Sequence, residues 1–421
     1  MTAPEASFGG FVARARDAGT LVVQPRMGMS RPEQMRAGLH ATRHAAATTV
    51  GTLTVDSYTR TGELDAARRA VEAGTALNGY PLATHAPHVT RGVLDGIVGP
   101  DFPVQVRHGS ARPGPVFAAL LSSGLHATEG GPVSYCLPYS RVPLATAVAD
   151  WERCCTLLGG ARRHGTEPHL ETFGGCMMGQ LCPPSLLVAL SVLEALFFRR
   201  HGLRSVSLSY AQQTNVRQDE EAVAALTALA AELLPDVEWH VVLYAYMGLY
   251  PLSPGGATLL LDEAARLAVR TGAARLVVKT TAEAHRIPTM QENVSALETA
   301  AATAAATPMP TGPAPDTGIH AEARALVEAV LGLHQDIGRA LVLAFARGYL
   351  DVPYCLHPDN AGRTRSALAP DGRLEWADTG SLPLPGHRRA GGRRAILGSA
   401  DLIGALSYVQ RTFDERAFTA L

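Results

Sequence analysis

The sequence predicts a parallel α/β fold. Three observations carry that prediction: short β-rich runs alternate with longer helix-period runs, several helical runs stop at a glycine, and polar residues stand directly after the apolar strand runs. In order, the strand runs are LVVQP near Leu21, TVGTLTV near Thr49, PVQVRHG near Pro103, PVSYCLPY near Pro132, SVSLSY near Ser205, EWHVVLY near Glu238 and ARLVVKT near Ala274. Between them lie ELDAARRAVEAG, PLATAVADWERCCTLLGG, SLLVALSVLEALFFRRHG, EEAVAALTALAAELLP and ATLLLDEAARLAVRTG, with apolar residues at helical spacing and, in several, the Gly expected just past a helix end. An eighth strand, in the Pro81 to His85 or the His169 to Phe173 region, would close a TIM-type (β/α)8 barrel. The rhythm favours that barrel, although an open doubly wound sheet shares the same local pattern.

The barrel is expected to occupy residues 1–300. The stretch TAAATAAATPMPTGPAPDTG, around residues 299 to 318, mixes Ala-rich helix with Pro and Gly and predicts a surface connection. Residues 301–421 then form a C-terminal α-rich appendage packed on the barrel: the helix IHAEARALVEAVLGLHQDIGRALVLAFARGYL, followed by a Pro/Gly/Arg-rich tail. No repeat of fixed period is visible.

Composition excludes several classes. With 47% hydrophobic and 18% charged residues, the chain falls in the globular range. Its 37 basic and 38 acidic residues leave a net charge of -1, so there is no overall field for nucleic acid or an anionic membrane, and any anion site must be local. Six cysteines without a CxxC pair are too sparse for a disulfide framework and fit a reducing cytosol. No secretory leader pattern opens the sequence, and no run approaches the roughly 18 apolar residues of a membrane span. The greasiest run, SLLVALSVLEALFF, carries Glu194 and predicts a buried helix. A cytoplasmic chain is expected.

In a parallel barrel, functional residues gather where the strands end. Arg26 closes LVVQPR, Arg60 follows TLTVDSYT, and Arg107 ends PVQVR. Like charges repel at short range, so gathering three arginines on one face calls for an anion between them, and a dicarboxylate gripped by guanidinium forks would answer. Taken singly, each reads first as a rim salt bridge, and only the set as a whole favours the anion site. An amino dicarboxylate also needs an acidic partner for its ammonium, a role open to Glu129, which precedes the strand run bearing Tyr135 and Tyr139. Four residues apart in a strand, those tyrosines would share one face, as site hydroxyls or as interior aromatics. Lys279 and Glu283 form an i,i+4 ion pair, or Lys279 is an amine poised for a Schiff base or for a ribose hydroxyl. His85, His108, His164 and His169 show no metal-ligand spacing, so no metal is expected, and GxxxxGK[ST] is absent.

Several motifs then agree in order: QPRMG at Gln24, VDSYTR at Val55, LNGYPLATH at Leu77, VRHG at Val106, EGGPVSYCLPYSR at Glu129, PPS at Pro183, VVKTTAEAHRIPT at Val277 and GYLDVPYCLHPDNAG at Gly348. Together they resemble the large (ε) chain of glutamate mutase, also called methylaspartate mutase, over most of the length. The resemblance implies a TIM barrel that interconverts L-glutamate and 3-methylaspartate by a radical route with adenosylcobalamin. It implies that Arg26, Arg60 and Arg107, with His108 beside them, grip the substrate carboxylates, that Glu129 holds the amine, and that Tyr135 and Tyr139 complete the pocket. It further implies that Lys279 and Glu283 contact the adenosyl ribose and that Gly28, Thr84, Pro138, Tyr250 and Ile287 line the cobalamin, with Thr84 and Tyr250 replacing different family residues. The DxHxxG signature of the cobalt-ligating domain is absent from these 421 residues. A small (σ) cobalamin-binding subunit is therefore the expected partner, in a hetero-oligomer with a homodimer of this chain at its core.

Two departures bear on substrate identity. LETFGG has Leu170 where an arginine is common, and SYAQQTN, with Gln212, stands where a GYGECGN-like segment is usual. A related 2-amino acid therefore stays open as substrate. Competing readings are a cofactor-free barrel lyase using Lys279 as a Schiff-base amine, and a non-catalytic homologue.

Overall fold

The computed structural model describes residues 7–177, 181–309, 312, 316–385 and 399–419. After α1 (Phe8–Asp17), strands and helices alternate. β1 (Val22–Gln24) is followed by α2 (Pro32–Arg43), and β2 (Gly51–Thr54) by α3 (Ser57–Thr61), α4 (Leu64–Glu72) and α5 (Pro87–Leu94). β3 (Val104–Arg107) leads to α6 (Gly114–Ser122), β4 (Ala127–Glu129) to α7 (Leu144–Gly159), and β5 (His169–Glu171) to α8 (Pro184–Arg200). β6 (Ser205–Ala211) precedes α9 (Val216–Leu233), β7 (Glu238–Tyr244) precedes α10 (Pro254–Thr271), and β8 (Arg275–Val277) precedes α11 (Met290–Ala306).

The strands form one eight-stranded sheet in the order β1-β8-β7-β6-β5-β4-β3-β2, every pairing parallel. A parallel bridge from Val23 to Thr49 brings the two ends of the order together. The result is a TIM-like α/β barrel, not an open doubly wound sheet, because consecutive strands neighbour each other throughout and the order never reverses.

One strand expectation is corrected, and of the two places expected for the obscured strand the second holds it. PVSYCLPY is not a strand: the fourth strand is the preceding Ala127–Glu129, and the obscured strand is His169–Glu171. Gly130, at φ +124°, takes the chain out of the strand, and a Cβ there would lie 2.5 Å from the Tyr135 ring. The segment then winds in turns, with Leu137 N–H donating to Val133 O and Ser140 N–H to Cys136 O. Pro81 to His85 is a turn that runs on from the bridge between Val55 and Tyr80.

Beyond the barrel lie α12 (Ile319–Leu331), α13 (Ile337–Arg347), a hairpin of β9 (Arg365–Leu368) and β10 (Leu374–Asp378), α14 (Ser399–Leu406) and α15 (Tyr408–Thr419). The single long helix expected from Ile319 is two, broken after Gly332 and restarted by Asp336, whose side chain caps α13 through the Arg339 N–H at 2.8 Å. α12 packs on α8 and α9, α13 on α7 and α8, and α15 on α10. The middle of the Pro-rich connection, and residues 386–398 and 420–421 of the Pro/Gly/Arg-rich tail, lie outside the described residues. No described helix is long and apolar enough to cross a membrane.

α8 is the greasy run, and it is buried almost from end to end, Glu194 included. A buried carboxylate needs donors. Glu194 accepts from the N–H groups of Val133 (3.2 Å), Ser134 (2.9 Å), Phe173 (3.2 Å) and Gly174 (2.8 Å), and from the Ser134 hydroxyl (3.0 Å). It thereby ties the loops after β4 and β5 to one helix. Gly131 packs directly on it, since a Cβ there would lie 2.0 Å from Glu194 Oε1.

Candidate active site at the carboxyl end of the barrel

Inside the barrel, polar residues alternate with the apolar ones. Gln24 donates to Thr52 Oγ1 (2.9 Å) and to Gln105 Oε1 (2.8 Å). Arg275 and Glu171, both fully buried, form an ion pair that Gln105 and Ser207 join through Glu171 Oε2 at 3.2 and 3.0 Å. Burial pushes the Glu171 carboxyl up, but Arg275, the Tyr244 hydroxyl and Arg107 outweigh it, so the group sits below its ordinary range.

This layer supports a second one at the strand ends. Arg107, the last residue of β3, donates from Nε to Glu129 Oε2 at 2.7 Å, and Glu129 ends β4. The Tyr244 hydroxyl, ending β7, donates to Glu129 Oε2 at 2.8 Å and also contacts Glu171, while the Tyr135 hydroxyl donates to Glu129 Oε1. The Arg107 guanidinium lies 5.1 Å from the centre of the Tyr244 ring. Burial works against the Arg107 charge, yet Glu129 and the two tyrosines hold it well above its usual value. Glu129 is thus fixed through both oxygens, and Arg107 engages it through Nε.

His108 follows at once, buried between Tyr135 (5.1 Å, edge-on) and Trp151 (5.8 Å, stacked), and its Nδ1 accepts the Ser110 N–H at 3.0 Å. That bond puts the imidazole proton on Nε2. Burial, helped by Arg107, drives its pKa down to about 3, so the ring is neutral.

Tyr139 sits 6.0 Å from Tyr135, ring to ring. The two do share a face, though through helical turns and not through a strand, since four residues is also one turn. Tyr139 is 43% exposed, within electrostatic reach of Arg26 and Arg107, and it lines a groove of about 820 Å3 together with Arg60 and Gly109. Arg60 lies in α3, a turn past the strand end, where Asp56 caps the helix. Tyr139 is thus within electrostatic reach of Arg26 and Arg107 and shares its groove with Arg60, while Arg107 is already paired to Glu129.

A second group assembles beside the first. Lys279, the only lysine in the chain, follows β8 and is 7% exposed. Its Nζ stands 3.6 Å from Glu283 Oε2, which Arg26 also approaches at 3.7 Å, and 5.0 Å from the centre of the Tyr250 ring. Burial first, and Arg26 second, lower the Lys279 pKa to about 8 against the pull of Glu283. The Tyr250 hydroxyl is buried with no hydrogen-bond partner among the described residues.

The remaining predicted positions sit on loops past the strand ends. Gly28 packs its bare Cα on β2, where a Cβ would come 2.2 Å from Thr54 O, so packing alone requires glycine there. The Thr84 hydroxyl donates to Pro81 O at 3.0 Å. Pro138 is half-buried, and Ile287, 67% exposed, projects from the loop after β8. Among the described residues, no three His, Cys, Asp or Glu side chains gather as metal ligands would.

Sequence reasoning missed Tyr244, Glu171, Arg275 and the donors around Glu194. Polar residues inside apolar strand runs, as in VVQ, PVQV and HLE, were the available signal, because in a closed barrel alternate residues point to the interior.

The profile of the family described as Methylaspartate mutase E chain (MutE) matches residues 3–398. Glutamate mutase epsilon subunit of Escherichia coli O157:H7 is 31% identical over 350 residues, covering 79% of this chain and 72% of the relative. The protein of the same name from Halobacterium salinarum is 31% identical over 388 residues, covering 89% and 80%.

Proposed function

Because the chain belongs to the methylaspartate mutase E chain family, we propose that it is the catalytic barrel of an adenosylcobalamin-dependent carbon-skeleton mutase acting on L-glutamate, 3-methylaspartate or a close 2-amino dicarboxylate. The observation that carries the reading is Tyr139 within electrostatic reach of Arg26 and Arg107 and in one groove with Arg60, next to a Tyr135 that bonds Glu129, whose carboxylate accepts three side-chain hydrogen bonds. Guanidinium forks on one side and a carboxylate on the other suit a substrate with two negative ends and one positive group.

In this reading the arginines hold the two carboxylates and Glu129 receives the ammonium. His108, neutral and buried, backs the Tyr135 ring, and Tyr135 and Tyr139 close the space around the carbon chain. Fixed fragments must not drift apart during a radical rearrangement, so rigid positioning is the main contribution of these side chains.

The second group fits the implied cofactor. Lys279 and Glu283 present a donor and an acceptor suited to ribose hydroxyls, the Tyr250 hydroxyl is a buried donor awaiting an acceptor, and Ile287 offers an exposed apolar surface to a corrin ring. Gly28, Thr84 and Pro138 would line the same cofactor. When bound, adenosylcobalamin supplies a carbon radical by homolysis of its cobalt–carbon bond. The proposed partner is a small cobalamin-binding subunit carrying DxHxxG, in a cytoplasmic hetero-oligomer built on two copies of this chain.

The test combines the chain with a cognate small subunit, adenosylcobalamin and L-glutamate, and follows methylaspartate by the new methyl doublet in its proton NMR spectrum and cob(II)alamin by electron paramagnetic resonance. Product and signal together support the reading. A borohydride-trapped adduct of a carbonyl (oxo-acid) substrate on Lys279, formed without cobalamin, would replace it with the Schiff-base lyase.

A further inference from the structure

α15 lies beyond the residues that the family profile matches, yet it holds a loop of the site. The loop is the connection from β7 to α10, which carries Tyr250. Asp414 of α15 accepts the Leu252 N–H at 2.9 Å, the Ser253 N–H at 2.8 Å and the Ser253 hydroxyl at 2.5 Å. Gln410, one turn earlier, donates to Tyr250 O at 2.7 Å. The Ser253 hydroxyl also accepts the Gly256 N–H at 3.1 Å, so the same contact caps α10.

Packing reinforces the hydrogen bonds. Val409 of α15 is buried in a cluster with Tyr246, Tyr250, Ala257 and Leu260, separate from the main core. Arg416 approaches Glu263 of α10 at 3.9 Å, and a Cβ on Gly255 would meet Ala417 at 3.2 Å. On its other side, the loop is held by His285, whose Nε2 contacts Leu252 O at 3.1 Å. Tyr250 is therefore clamped between α15 and the loop after β8, with its ring over the Lys279 ammonium.

We propose that Asp414 and Gln410 are positioning residues: through the backbone of the β7–α10 loop they hold Tyr250 against Lys279 and so preform the subsite that receives the adenosyl group. The inference rests on the cofactor reading above for the identity of the ligand, and on the contacts alone for the coupling between α15 and Lys279. The Asp414 carboxylate suits the task, because three donors from one loop converge on it.

Since Lys279 is the only lysine, amine acylation followed by peptide mass spectrometry reads its environment without ambiguity. In Asp414→Ala and Gln410→Ala the loop loosens and water reaches the amine. The midpoint of its pH-dependent acylation then moves up from about 8 toward the ordinary 10.5, while melting of the barrel is retained. Asp414→Asn keeps one acceptor oxygen and restores the midpoint in part. With the small subunit present, the dissociation constant for adenosylcobalamin rises about tenfold and the KM for the amino acid stays within about twofold. An unchanged acylation profile in both alanine variants overturns the inference. A shifted profile with unaltered cobalamin affinity upholds the coupling and overturns the assignment of the ligand. If Asp414→Ala does not fold, Gln410→Ala, which removes a single bond to a loop carbonyl, carries the test.

Discussion

Glu194→Gln separates what the buried carboxylate does from what its helix does. The side chain accepts five hydrogen bonds, two at Oε1 and three at Oε2. Whichever oxygen becomes NH2, at least two backbone N–H groups then face a donor. Leaving a buried N–H without its acceptor costs about 1–3 kcal/mol, so losing two gives about 2–6 kcal/mol, offset in part because a carboxyl that is neutral at pH 5 already turns one O–H toward these donors. A net loss of about 3 kcal/mol is expected. Burial pushes the Glu194 pKa up from 4.5 to about 7, against the pull of Ser134, Phe173 and Gly174. Its folded pKa lies above its unfolded one, so the wild-type advantage from this group is complete below about 4.5 and declines as pH rises through about 7. Urea denaturation at pH 5 and pH 7.5, followed by tryptophan fluorescence, should show the variant less stable at both, with the gap narrower at the higher pH. Because the loops bearing Tyr135 and Phe173 hang on this carboxylate, the KM for the amino acid should also rise. Equal midpoints for the two proteins, or a gap that widens with pH, would refute the reasoning.

Arg107→Lys keeps the charge but loses the planar fork. Turnover should fall on the order of 100-fold with melting little changed, and wild-type kinetics would remove Arg107 from the clamp. Tyr244→Phe preserves the ring beside Arg107 and deletes the hydroxyl linking Glu129 to Glu171, so denaturation should register a loss of about 1–3 kcal/mol and steady-state assays a lower kcat. For Lys279, acylation should be half-maximal near pH 8, moving up in Arg26→Gln and down in Glu283→Gln, because Arg26 disfavours and Glu283 favours the ammonium. Shifts of the opposite sign, read by peptide mass spectrometry, would contradict the geometry of this trio.

Much of the barrel was legible because parallel strands buried on both faces must be apolar and the helices between them amphipathic. The fourth strand was misplaced because PVSYCLPY has strand composition, while the real strand, Ala127–Glu129, is three residues long and ends at a glycine pair. Those glycines were legible as spacing but not as a packing demand, since that demand comes from Glu194 and Trp151, distant in sequence. The β9–β10 hairpin was announced by Pro370, Asp371 and Gly372 between two strand-forming runs and was passed over as tail. The strand-end arginines and Glu129 could be picked out one by one. That Arg107 is already occupied by Glu129, and that Tyr244 and Glu171 support both, depends on partners from other strands, which no local pattern carries.

The Arg275–Glu171 pair also constrains how the ring can assemble. The two residues are 104 positions apart, on β8 and β5, and each is fully enclosed. A partly built ring holding one of them would strand a lone ion in a dry interior, a state disfavoured by several kcal/mol. States that enclose one of the two without the other are therefore penalised, so β5 and β8 should become sealed from water together.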